Sequence, residues 1–224
     1  MKRYGKDSIT LDYLRRIVYY MFEHTDKILR PLREWNYAIP RASYEDWYIT
    51  TTLYEKYGKK GVLDIGAFTG ANTVYFSYLA KTKGAMVYSI DNWYQAKKAG
   101  VSVDRAKQLF YSHLDLLEVR DRCILIEKEV EDIDENDLKD VDFIFHDIHQ
   151  VKTDGVLDLI KKIQNKTIFI LDDIDRKNRY LNNIIHHENV KEFHRTKRRS
   201  YMTVFANDRY WGDVIEVPTP PIQR

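Results

Sequence analysis

Residues 61–70 read Gly-Val-Leu-Asp-Ile-Gly-Ala-Phe-Thr-Gly, and this stretch decides the fold we expect. Its apolar first half predicts a buried β-strand, and Gly66 and Gly70 predict a tight turn after it. Residues 71–76 have the pattern of a helix start. A strand, a glycine turn and a helix N-terminus favour a nucleotide site, because glycine lets a ligand approach the backbone and the first helical N–H groups can donate. A βα turn without a ligand is the alternative interpretation.

Strand and helix patterns alternate along the rest of the chain. Repeated β-α units predict an α/β fold with a mostly parallel sheet and helices on both faces, whose ligands lie beyond the carboxyl ends of the strands. The predicted strands are 61–65, 86–90, 123–126, 143–146, 167–171, 191–197 and 201–207. The predicted helices are 71–81, 103–117, 135–138 (short) and 156–164.

The chain of 224 residues is long enough for one α/β domain with a full core. We expect a helical cap at residues 1–58 that belongs to the same domain. The main domain then covers residues 59–215, and a loose proline-containing tail covers 216–224.

Composition excludes several classes of protein. With 36 Lys and Arg against 34 Asp and Glu, no global charge favours nucleic acid or an anionic membrane. The single cysteine, Cys123, excludes an internal disulfide and a cysteine-rich zinc site, and it is expected as a buried thiol in a strand. The N-terminus lacks the apolar core of a signal peptide, and no apolar run is long enough to span a membrane. We therefore expect a cytoplasmic protein.

The glycine spacing Asp64-x-Gly66-x-x-x-Gly70 is neither the dinucleotide fingerprint nor a P-loop. It resembles the first motif of class I S-adenosylmethionine-dependent methyltransferases. The resemblance implies a Rossmann-like fold, which is a mostly parallel seven-stranded sheet with an antiparallel C-terminal edge strand and an N-terminal helical cap. It also implies S-adenosyl-L-methionine as the cofactor.

The resemblance assigns cofactor contacts to the ends of successive strands. Asp91 would accept the two ribose hydroxyls, although a turn aspartate is the alternative role. Asp64 would lie near the methionine ammonium or cap the turn. Glu129 and Val130 are candidates for the adenine side. The full predicted set is Asp64, Gly66, Ala67, Phe68, Gly70, Asn72, Thr73, Asp91, Asn92, Trp93, Glu129, Val130 and Asp147.

Two further strands end in carboxylates, Asp147 after one and the pair Asp172-Asp173 after the next. Three converging carboxylates repel each other unless a cation neutralises them, and oxygen ligands suit Mg²⁺ or another hard divalent ion. The arrangement resembles that of the metal-dependent O-methyltransferases, such as the catechol and macrolide-sugar enzymes. An ordinary loop start with helix-capping aspartates is the alternative for Asp172-Asp173.

The resemblance implies methyl transfer to a hydroxyl oxygen, with Asp147 and a general base in the catalytic site. These families often place Lys or His at the position occupied here by Gln150. His149, on the expected rim, is the preferred base, because a histidine with a pKa near neutrality can accept a hydroxyl proton. His146 could substitute for it or be a core histidine.

The acceptor is expected to be a small hydroxylated molecule, such as a sugar or a natural product, and a homo-oligomer is left open. Aromatic residues of the cap and of the segment after Asp91 could line its site or serve the core. An RNA- or cap-directed methyltransferase is one alternative, supported by the basic run 194–199 with Tyr201 beside it. A catalytically silent S-adenosylmethionine-binding protein is the other, supported by Gln150. The aromatic residues are Trp35, Tyr37, Tyr44, Trp47, Tyr48 and Trp93.

Overall fold

The computed structural model describes residues 50, 53–98, 100–138, 140–147, 168–171, 191–195 and 203–206. Its helices are α1 (Ala71–Lys83), α2 (Tyr94–Lys98) and α3 (Val103–Leu116). Residues 53–57 are also helical. Short 3₁₀ turns cover Arg120–Arg122, Val130–Asp132 and Glu135–Leu138. The strands are β1 (Gly61–Ile65), β2 (Val87–Ile90), β3 (Cys123–Ile126), β4 (Val141–His146), β5 (Ile168–Leu171), β6 (Lys191–Arg195) and β7 (Thr203–Ala206).

Strands β3, β2, β1 and β4 lie side by side and run parallel. The order reverses at β1, because the chain first adds strands on one side and then returns to pair β4 on the other. This reversal is the topological switch point at which doubly wound sheets bind ligands. The Rossmann-like α/β fold expected from the sequence is therefore confirmed for this part of the chain.

The described strands continue on the far side of β4 in the order β5, β7, β6. Strand β5 is parallel to β4, whereas β7 is antiparallel to both β5 and β6.

Strand β1 lies at the centre of the sheet, and its residues are buried throughout. Aromatic side chains fill the core beside it, where Phe76 of α1 packs against Phe143 and Phe145 of β4 at centroid distances of 5.9 and 5.5 Å. The ring of Tyr54 contacts Phe143 from the helical segment before β1 at 5.2 Å. The core therefore fixes the central strands whose carboxyl ends form the candidate site.

Asp142 and Lys83 fix the entry into β1. The carboxylate of Asp142 accepts hydrogen bonds from the backbone N–H groups of Lys59 and Lys60, at 2.8 and 3.1 Å. The Lys83 ammonium donates to the backbone carbonyls of Tyr54, Glu55 and Gly58, at 2.7, 2.9 and 2.5 Å, which satisfies carbonyls at the end of the helical segment.

The short helical stretch predicted at 135–138 is a 3₁₀ helix with the predicted bounds. Cys123 lies in a strand as expected, but it is only half-buried, because β3 is at the edge of the sheet. Within the described residues, no helix has the length and apolar character needed to cross a membrane. The predicted helix 156–164, most of the predicted cap and the tail lie outside the described residues.

Candidate functional site

The loop between β1 and α1 has an unusual backbone. Gly66 and Gly70 have φ angles of 100° and 82°, and Phe68 between them has a φ of 45°. The N–H of Gly66 donates to the carbonyl of Ile90 at 2.9 Å, which ties the loop to the end of β2. Gly70 is the N-cap of α1 and has no side chain to occupy the first N–H groups of the helix. Helix α1 therefore begins at the switch point of the sheet without a side-chain cap.

The carboxylate of Asp91, directly after β2, stabilises the conformation of this loop. One carboxylate oxygen accepts the N–H of Phe68 at 2.7 Å, and the other accepts the N–H of Trp93 at 2.6 Å. Both donors belong to residues with positive φ, since Trp93 has a φ of 62°. Burial raises the pKa of Asp91, and the two backbone bonds act against that rise. Each carboxylate oxygen has a second lone pair, which can still accept a ligand hydroxyl.

Asp64 lies inside β1 and is fully buried. Its Oδ2 accepts the hydroxyl of Thr73 at 2.5 Å, and the hydroxyl of Ser89 donates in turn to Thr73 at 2.9 Å. Among the described residues, nothing donates to Asp64 Oδ1. Burial, followed by the charges of Asp147 and Asp91, raises the pKa of Asp64 to about 7, whereas the bond from Thr73 lowers it.

Strand register explains why three carboxylates share one face of the sheet. Asp64 is aligned with Ser89 of β2 and Phe145 of β4. Asp91 and Asp147 follow these partners by two residues, and side chains two apart on a strand point to the same face. The N–H of Asp147 donates to the carbonyl of Ile65 at 2.8 Å, which keeps Asp147 beside the end of β1. The described site is therefore strongly acidic.

Two carboxylates after β3 are bonded to the segment after β2. Asn92 donates to Glu129 at 2.9 Å, and the Trp93 indole donates to Glu127 at 2.8 Å. Val130, the other predicted adenine-side residue, is buried. Sequence reasoning missed Glu127, although it follows β3 directly, just as Asp91 follows β2.

Helix α3 contacts the glycine loop through His113 and Phe110. His113 is buried, and its Nδ1 donates to the carbonyl of Thr69 at 2.6 Å. The Cδ2 atom of Phe110 lies only 2.8 Å from the position that a Cβ on Gly70 would take. Neither residue was singled out from the sequence, because helical spacing alone indicates burial and not the neighbour contacted.

Three predicted site residues lie outside the described residues, namely His149, Asp172 and Asp173, and so does Gln150, at which these families often have a base. His146 of β4 is buried, as its core interpretation expects. Within the described ranges, no group of three His, Cys, Asp or Glu residues could hold a metal ion. Only Asp147 of the predicted metal ligands is described, so the metal site stays a prediction.

We expect Gly70→Ala to lower the free energy of unfolding by about 2–5 kcal/mol. A positive φ costs a non-glycine residue about 1–2 kcal/mol, and displacing Phe110 adds a core-overpacking cost of about 1–3 kcal/mol. Gly84→Ala is the matched control, because Gly84 has a φ of 66° but no atom within 4 Å of the place that a Cβ would take. Urea unfolding of both variants measures the difference. Equal losses would show that the Phe110 contact adds nothing.

The polar groups of the site fit a nucleoside ligand. A carboxylate with unused lone pairs suits a pair of ribose hydroxyls, and the glycine turn leaves room for close approach. Like-charged carboxylates at one rim favour a ligand that carries positive charge.

Comparison by sequence matches no protein-family model and no curated protein. The fold, however, is similar to those of solved methyltransferases. An O-methyltransferase from Bacillus cereus, in complex with S-adenosylhomocysteine, has a TM-score of 0.62 at 12% identity, over 84% of this chain and 91% of that one. The O-methyltransferase TomG from Streptomyces achromogenes, involved in tomaymycin synthesis and in complex with S-adenosylmethionine, has a TM-score of 0.62 at 12% identity, over 84% and 89%.

A methyltransferase from Podospora anserina, bound to S-adenosylhomocysteine, has a TM-score of 0.58 at 13% identity, over 95% of this chain and 99% of that one. Identities this low show a shared fold. The Rossmann-like methyltransferase fold implied by the glycine motif is therefore confirmed.

Proposed function

We propose that this chain is an S-adenosylmethionine-dependent O-methyltransferase. The observation that carries the proposal is Asp91, whose carboxylate joins the glycine loop to the end of β2 and keeps lone pairs for ribose hydroxyls. The shared fold supports it, because the neighbours from Bacillus cereus and Streptomyces achromogenes are O-methyltransferases with S-adenosylhomocysteine or S-adenosylmethionine bound.

The acidic rim suits this cofactor, whose sulfonium and ammonium groups are cationic. We propose that Asp91 holds the ribose and that the backbone of the glycine loop faces the methionine part. Asp64 would act from beneath the loop, since it is fully buried. Asn92, Trp93, Glu129 and Val130 would border the adenine, and the remaining proposed contacts are Gly66, Ala67, Phe68, Gly70, Asn72, Thr73 and Asp147.

A divalent cation, with Mg²⁺ as the first candidate, is the second part of the proposal. Asp147 at the end of β4 would hold it together with Asp172 and Asp173, and the bound ion would raise the nucleophilicity of an acceptor hydroxyl. His149 is the proposed base. Alignment of the donor methyl with the acceptor oxygen would supply much of the remaining rate enhancement.

The proposed acceptor is a small hydroxylated molecule, such as a sugar or a natural product. A vicinal diol is the first class to screen, because two adjacent oxygens can chelate one metal ion. For the architecture, we propose that the strands described above form one complete seven-stranded sheet with an antiparallel C-terminal edge. We also propose that residues 1–58 form a helical cap on it. A cytoplasmic location also stays a prediction.

Titration calorimetry tests the proposal. Purified protein is titrated with S-adenosylmethionine in Mg²⁺ and again in EDTA, and then with Mg²⁺ alone. We expect micromolar cofactor binding in both buffers. A heat of Mg²⁺ binding is expected for the wild type and not for Asp147→Ala, which should still bind the cofactor.

The outcomes separate the parts of the proposal. If the cofactor does not bind in either buffer, the methyltransferase proposal is wrong. If the cofactor binds, Mg²⁺ gives no heat of binding and diol methylation persists in EDTA, the metal part of the proposal is wrong and the methyltransferase part stands. A salt-dependent affinity for RNA would instead support the RNA-directed alternative.

A further inference from the structure

Trp93 connects the two loops of the candidate cofactor site. It is 3% exposed, and its backbone N–H donates to Asp91 at 2.6 Å. Its ring meets that of Phe110 edge-on at 6.4 Å, and Phe110 occupies the space beside Gly70. A movement of the Trp93 ring would therefore disturb both the ribose carboxylate and the support of the glycine loop.

Glu127 fixes the ring of Trp93. Its Oε2 accepts the indole N–H at 2.8 Å and also the ammonium of Lys107. The Lys107 Nζ lies 5.9 Å from the centre of the Trp93 ring. Because an indole nitrogen only donates, this carboxylate sets one orientation for the ring. Glu127 directly follows the edge strand β3, and Lys107 belongs to α3, so these two residues hold the Trp93 ring between them.

We infer that Glu127 is a positioning residue that sets cofactor affinity by holding Trp93 against Asp91 and Phe110. The inference rests on the proposed function. Trp93 has a left-handed backbone, a conformation that costs free energy for a non-glycine residue and persists only where surrounding contacts hold it. Without the bond to Glu127, the Trp93 turn gains alternative conformations in the free protein. The cofactor must then reorder the turn on binding, which weakens affinity.

The test measures S-adenosylmethionine affinity by calorimetry at a temperature where every variant is folded. We expect Glu127→Ala to raise Kd about tenfold, the scale of one lost hydrogen bond to a charged group. Glu127→Gln keeps an acceptor for the indole and should raise Kd about two- to threefold. Glu131→Gln, at an exposed position on the same segment, controls for the loss of one negative charge.

The indole N–H resonances give a second measurement, which reports the bond between Trp93 and Glu127 and the response of Trp93 to the cofactor. The chain has 4 tryptophans, and Trp93→Phe identifies the Trp93 signal by its disappearance from the ¹⁵N–¹H spectrum. We expect this signal to shift when Glu127 is replaced by alanine, and the other indole signals to stay in place. In the wild type, the same signal should shift when the cofactor is added.

Three outcomes would overturn the inference. If the wild type binds the cofactor and the Kd of Glu127→Ala is within twofold of the wild-type Kd, the positioning role is wrong and the proposed function stands. A Trp93 indole signal that does not move in Glu127→Ala refutes the contact itself. Wild-type protein that does not bind the cofactor refutes the proposed function, and the role of Glu127 with it.

Discussion

Replacing Asp91 by alanine is expected to weaken S-adenosylmethionine binding by about 10²–10⁴-fold and to lower the free energy of unfolding by about 2 kcal/mol. The loss of affinity follows from two ribose hydroxyls that lose a charged acceptor, at about 1.5–3 kcal/mol for each bond. The loss of stability follows from the N–H groups of Phe68 and Trp93, which donate to Asp91 from positive-φ residues. Relief of the buried charge of Asp91 partly offsets that loss, because burial raises its pKa.

Calorimetry measures the affinity, and urea unfolding without ligand measures the stability. In Asp91→Asn the amide oxygen can accept one of the two backbone N–H groups, but the amide nitrogen is a donor and then faces the other N–H. We therefore expect Asp91→Asn to lose as much stability as Asp91→Ala. Asp132→Ala, at an exposed position, is the control. Unchanged affinity in Asp91→Ala would refute the ribose role, and unchanged stability would show that the two backbone bonds contribute nothing net.

The stability of the wild type is expected to fall between about pH 4 and pH 7 relative to that of Asp64→Asn. Asp64 has a folded pKa of about 7 against an ordinary value of 3.8, so the folded chain holds the proton more tightly. The stability that this proton contributes is complete below pH 4 and is lost as the pH rises through 7, because the unfolded chain ionises first. The slope over this window is about 1.4 kcal/mol per pH unit, which gives a total of several kcal/mol.

Denaturant unfolding of the two proteins at half-unit pH intervals measures this difference. Asparagine can still accept the Thr73 hydroxyl but has no charge to bury. Asp132→Asn controls for the loss of one carboxylate at an exposed position. Parallel stability curves for the wild type and Asp64→Asn would show that Asp64 does not titrate in this window. If a cationic cofactor binds the ionised form, binding near neutral pH should also release a proton.

The unit of β1, glycine loop and α1 could be predicted from residues 61–83, because its signals are local. An apolar run predicts the strand, and two glycines mark the turn. Strand β1 has the predicted bounds, Gly61–Ile65. Helix α2 was missed, since five residues are too few to show a helical period.

The contacts inside the site could not be predicted, because they depend on how separate strands align. Sequence reasoning places Asp91 at a strand end, but it does not predict that Phe68 adopts a positive φ and donates to Asp91. The bond from Trp93 to Glu127 likewise exists because β2 and β3 pair with Ile90 beside Ile126. The roles of Asp172, Asp173 and His149 stay predictions.

The position of Cys123 makes it a chemical reporter of how the edge of the sheet opens. Its thiol donates to the hydroxyl of Ser89 at 3.8 Å, and burial raises its pKa to about 12. The thiol is therefore protonated at neutral pH, and alkylating reagents attack the thiolate. As the chain contains one cysteine, its labelling rate reports transient separation of β3 from β2 at a single site.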